Sequence, residues 1–135
     1  DPVKCHFVNG NFTIISAGAF QAIGNLSEAF THSMGDFDYG LRLVEAGFTC
    51  WVAPGTYGEC ESNGILGGWQ DDSLPLHDRV KLIRSITQQP PIDEWKIFIR
   101  RHAGPFWILY WLTATIRQYF PIYWLKIHDF KRKFR

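Results

Sequence analysis

The 135-residue chain is predicted to fold as an α/β half followed by helices alone. Three observations predict this. Short strand-like runs interleave with helices capped by Ser16 and by Asp36 or Asp38. Residues 54–75 hold five of the twelve glycines and two of the seven prolines, which marks a loop. After it the pattern turns helical, and Pro105 and Pro121 stand where helices can begin. The expected division is therefore residues 1–75, carrying the α/β part, and residues 76–135, a helical, basic and aromatic extension.

Taken in order, residues 6–16 read as a short strand, an Asn-Gly turn and a β-rich run ending at Ser16. Ser16 is placed to cap a helix over Ala17–Ile23, which Gly24 terminates in a left-handed conformation. Residues 25–35 form a loop with Leu26 and Phe30 as apolar anchors. A second helix starts at Asp36 or Asp38, presents Leu41, Leu43 and Val44, and closes at Gly47. Residues 48–53 read as a buried strand ended by Pro54-Gly55, with one further strand at residues 57–60. Helices are then expected over residues 76–86, 93–102, 105–119 and 121–134.

Composition narrows the function classes. At 46% hydrophobic and 20% charged, the chain folds and is not disordered. Its length suits one domain. The formal charge of +1 conceals a split: residues 1–95 carry net −7, and residues 96–135 carry nine basic residues against Asp129 alone. The chain opens Asp1-Pro2 with no signal-peptide pattern, and reads as a C-terminal piece of a longer protein. Cys5, Cys50 and Cys60 are odd in number and lack metal-ligand spacing, as expected of buried thiols in a reducing cytosol.

The chemistry concentrates in residues 35–48. Asp36 and Asp38 lie two residues apart at a helix start, where free N–H groups and the helix dipole favour negative charge. Arg42, four residues after Asp38, is in reach of an ion pair. Asp38 would then be held in place while Asp36 points outward, an anion at neutral pH able to accept a proton from a hydroxyl. Capping alone is the plainer explanation for acids at such a position.

The ordered set Asn9-Gly10-Asn11-Phe12, Phe20, Ile23-Gly24, Phe30, Gly35-Asp36-Phe37-Asp38, Leu41-Arg42 and Ala46-Gly47-Phe48 resembles the acceptor-side half of family 2 glycosyltransferases. The resemblance covers residues 6–65 well and the tail less specifically. It implies part of a GT-A fold, inverting transfer from a nucleotide-sugar donor, and Mg²⁺ or Mn²⁺ in the full-length enzyme. It also implies that Asp36 is the general base deprotonating the acceptor hydroxyl, with Asp38 orienting the loop or touching acceptor. Such a base contributes about 10²–10⁴-fold. Gly35 stands where many members have Glu, which leaves one carboxylate fewer.

Asp36-Phe37-Asp38 could instead be the metal-binding D-x-D of GT-A enzymes. That motif ends an apolar strand, whereas residues 31–35 read as loop. The donor side and the true D-x-D are therefore expected upstream, no metal is expected on this piece alone, and the piece alone is expected to be inactive. His32 and Trp69 are further acceptor-binding candidates, the latter as a stacking platform for a sugar ring or, equally, as a core anchor. Glu59, Cys60 and Asn63 are weaker pocket candidates, and Asp71-Asp72 are expected to cap the following helix.

Residues 103–125 hold eight aromatics and one charge, Arg117, but their uninterrupted apolar run is only 14 residues. A spanning helix needs about 20. Bracketing cations and interfacial aromatics suit peripheral contact by residues 103–135 with anionic headgroups. No nucleic-acid partner is expected, because no recognised module is present and the polar face is thin. The sequence thus points to the acceptor-binding part of a glycosyltransferase of cell-surface polysaccharide synthesis, acting on a saccharide or lipid-linked acceptor at the inner face of the cytoplasmic membrane. The alternative is a non-catalytic membrane- or partner-binding module; an apolar strand ending in D-x-D upstream would favour the enzyme.

Overall fold

In a computed structural model, residues 1–31, 33–59 and 67–132 are described. The chain is mixed α/β: two strands and six α-helices among those residues, divided into two compact units, Asp1–Cys60 and Glu61–Arg135.

In the first unit, β1 (Val3–Cys5) pairs antiparallel with β2 (Cys50–Val52), setting Val3 opposite Val52, Lys4 opposite Trp51 and Cys5 opposite Cys50. Helix α1 (Ala17–Ile23) follows the sequence closely. The Ser16 hydroxyl accepts from the Ala19 N–H at 3.2 Å, and Gly24 ends the helix at φ +74°. Its ψ of −151° lies outside the left-handed helical region, in mirror-image extended space that only glycine enters freely. Helix α2 (Gly35–Glu45) packs its buried Tyr39 and Leu43 against Ala19 and Cys50, with Val8, Ile23, Val44 and Phe48 closing the core.

Four expectations change here. Residues 6–15 form no strand. The Asn9 side chain accepts from the Asn11 N–H at 2.9 Å, the Asn9 carbonyl accepts from the Thr13 hydroxyl at 2.6 Å, and these local bonds compete with strand pairing. Phe12 and Ile14 stay exposed, and so does Leu26, an expected apolar anchor. The strand expected over residues 48–53 shortens to three residues, and only Cys50 of it is buried, where it packs with Tyr39 and Leu43 of α2. Residues 57–59 are not strand, and Cys60 lies outside the described residues.

In the second unit, α3 (Leu76–Ile83), α4 (Ile92–His102), α5 (Trp107–Tyr119) and α6 (Pro121–Arg132) succeed one another, with a 3₁₀ turn at Gly104–Phe106. Helix α3 stops before the expected residue 86, because the Ser85 hydroxyl bonds the Thr87 N–H and hydroxyl and draws the chain into a turn. Asp93 and Glu94 in the first turn of α4, and Arg100, Arg101 and His102 in its last, complement the helix dipole. Trp69, Ile83 and Leu125 form a core, flanked by Val80, Leu82 and Trp124.

Candidate functional site

Helix α2 begins after a backbone reversal. Met34 has φ +71°, a left-handed conformation uncommon for a non-glycine residue, and its carbonyl accepts from the Asp38 N–H at 2.8 Å. The helix therefore starts at Gly35. Asp36 and Asp38 lie inside its first turn instead of capping it, and Met34 at the cap position makes no side-chain cap bond. The acids still face the positive end of the helix dipole.

The two carboxylates have different surroundings. Asp38 is fully buried. Arg42 Nε donates to its Oδ2 at 2.9 Å, while the other guanidinium nitrogens donate to the carbonyls of Ile23 and Asn25, each at 3.0 Å. Arg42 thereby ties α2 to the end of α1. Its guanidinium also lies 5.2 Å from the centre of the Tyr39 ring, whose hydroxyl donates to the Gly24 carbonyl at 3.1 Å. Asp38 is a structural anion, neutralised where it sits.

Asp36 is only half-buried. Its Oδ1 accepts from the Phe37 N–H at 2.8 Å, and its Oδ2 accepts from the Gly10 N–H at 3.0 Å in an exposed contact. Gly40 makes the second bond possible. A Cβ there would stand 2.7 Å from Phe7 Cα and from Val8 N, so only glycine lets the backbone of residues 7–8 lie directly on α2. Phe7 and Phe37 meet edge to face at 5.6 Å beside it. The Asn9-Gly10 turn is thus part of the site, a role missed in the sequence although the Asn-Gly pair announced a turn.

The structure therefore brings Asp36, Asp38 and Arg42 together on one helix. His32 lies outside the described residues, as do Cys60 and Asn63, while Glu59 is exposed in irregular chain. Trp69 belongs to the second unit and is only 8% exposed, packed on Ile83 and Leu125 and edge-on to His128 at 5.3 Å. Its carbonyl accepts from Arg79 Nε at 3.0 Å. Those contacts are the work of a core anchor. Asp71 does not cap α3. It holds the preceding loop through the Gly67 and Ser73 N–H groups and the Ser73 hydroxyl, which together keep its carboxyl below the ordinary range.

Among the described residues no three of His, Cys, Asp and Glu converge in a group that could hold a metal ion. Chemically, the site offers one accessible, oriented carboxylate beside a second that is sealed. The chain matches no protein-family model, no curated protein and no solved structure.

Proposed function

We propose that this chain forms the acceptor-side part of an inverting glycosyltransferase. In this reading a sugar passes from a nucleotide-sugar donor to a hydroxyl of a saccharide or lipid-linked acceptor, in cell-surface polysaccharide synthesis at the inner face of the cytoplasmic membrane. One observation carries it: of two acids in the same helical turn, Asp38 is buried on Arg42 while Asp36 stays accessible and is aimed by Gly10. Displacement at an anomeric carbon requires the incoming hydroxyl to lose its proton as it attacks. A carboxylate held at its edges by N–H donors keeps lone pairs directed outward to accept that proton.

Arg42 and Asp38 act as positioning residues, fixing α2 against α1 so that Asp36 emerges at a constant angle. The test is Asp36→Asn in the enzyme that contains this chain. Transfer should fall by about 10² or more with donor KM and melting temperature nearly unchanged. Full retention of transfer overturns the assignment.

A further inference from the structure

Helices α5 and α6 carry large hydrophobic side chains on their outward sides as well as their inward ones. In α5 the inward stripe runs Trp107, Trp111, Ala114 and Gln118, and Arg117 also turns inward, its guanidinium 5.9 Å from the Trp124 ring. The outward stripe, at helical spacing, is Leu109, Leu112 and Ile116, which are 59%, 42% and 49% exposed. Helix α6 repeats the arrangement. Pro121 and Leu125 are buried, whereas Tyr123, Ile127 and Phe130 face out at 68%, 54% and 63% exposure. An amphipathic helix serving only a core would carry polar side chains on that outward stripe.

The charges around this face select its occupant. From Lys96 to the end of the chain the only acid is Asp129, and Arg79 takes it through two hydrogen bonds of 2.9 and 2.8 Å. Lys126 and Lys131 are exposed on α6 beside the outward stripe. Exposed apolar and aromatic side chains rimmed by cations match a bilayer surface, with tails below and anionic headgroups around the rim. No helix among the described residues is long and apolar enough to cross a membrane, so the arrangement suits lying on the surface.

We propose that the second unit docks on an anionic lipid surface through the outward faces of α5 and α6. The contact is interfacial: Leu109, Leu112, Ile116 and Ile127 enter the headgroup–acyl boundary, while Lys126 and Lys131 meet lipid phosphates. This docking is independent of the chemistry at Asp36.

The experiment is co-sedimentation of the chain with vesicles of phosphatidylcholine alone and with about one-third phosphatidylglycerol, at low and high salt. Anionic vesicles should take up at least about tenfold more protein than neutral ones, and salt should weaken the uptake. Lys126→Glu with Lys131→Glu should lower the uptake by about 25-fold or more, at roughly fivefold per cation. Leu109→Ser with Ile127→Ser should abolish it while leaving the far-ultraviolet circular dichroism unchanged, since both positions are exposed. Absence of vesicle binding, or equal binding to neutral vesicles, overturns the proposal. So does concentration-dependent self-association that the serine pair removes without any vesicle binding, an outcome that would assign the face to a second copy. The Asp36→Asn substitution should leave vesicle uptake untouched, so failure of either proposal is visible without the other.

Discussion

Arg42 donates its Nε to a carboxylate, that of Asp38, from which solvent is wholly excluded, and spends its remaining nitrogens on the last carbonyls around α1. The pair is a joint between two helices as much as an ion pair. Breaking it from one side leaves a buried charge without its counterion, which is costlier than never having had the pair.

Arg42→Met should therefore destabilise the first unit by about 3 kcal/mol, read as a lower urea midpoint. Asp36→Asn, at a half-buried position whose contact with Gly10 is exposed, should change the same midpoint by less than about 1 kcal/mol. Equal losses at the two positions would contradict the division of labour between the acids.

Gly40→Ala should be worse than an ordinary glycine-to-alanine change within a helix, which usually stabilises. The new methyl meets backbone at 2.7 Å, and backbone cannot step aside like a side-chain tip. A loss of about 1–3 kcal/mol is expected, together with a shift of the Gly10 amide resonance as residues 7–8 lift from α2.

The second unit should weaken in acid. Asp129 is held below the ordinary carboxylate range, chiefly by its hydrogen bonds from Arg79, and Asp71 chiefly by the Ser73 hydroxyl. A depressed folded-state pKa contributes stability above the unfolded value, and that stability drains away as pH falls through the folded value. Urea midpoints measured from about pH 5 down to about pH 2 should fall, and Asp129→Asn should flatten that slope. An unaltered slope in the variant would show that the Arg79 contact carries no pH dependence.

Cys5 and Cys50 should join under a disulfide oxidant. They are register partners across the two strands, and opposed residues in such a pair lie about 4.5–5.5 Å apart at Cα, within the range that a disulfide spans. Cys5, the more exposed, would attack oxidised glutathione and release one glutathione thiol. Cys50 would then displace the second, leaving an intramolecular disulfide. Burial, and then the neighbouring Cys5, push the Cys50 thiol up, so the closure should accelerate with rising pH. Peptide mapping should find the Cys5–Cys50 link in wild type and lose it in Cys50→Ser.

Much of this was legible in the sequence because it is local. Ser16 and Gly24 frame α1 through bonds within a turn, and the Asp38–Arg42 pair follows from helical spacing. What stayed hidden depends on contacts between distant residues. Nothing near Gly10 indicates that its N–H meets a carboxylate 26 positions later, and nothing near Trp69 indicates that Leu125 covers it. The start of α2 was misplaced because a methionine in a left-handed conformation leaves no compositional trace. The run at residues 12–15 looked like a strand because β-propensity describes side chains, while a strand also needs a neighbour.

Under the base role proposed for Asp36, the clasp between Gly10 and Asp36 would also act as a clock. An N–H that grips an anion loosens once the anion is neutralised, since charge-assisted hydrogen bonds are roughly twice as strong as neutral ones. A carboxylate that has just accepted a proton therefore relaxes its hold on the Asn9-Gly10 turn, and regains it when the proton leaves. On the base role proposed for Asp36, uptake of the proton and slackening of the turn would be one event, and the turn would register when that residue's part in the proposed transfer is over.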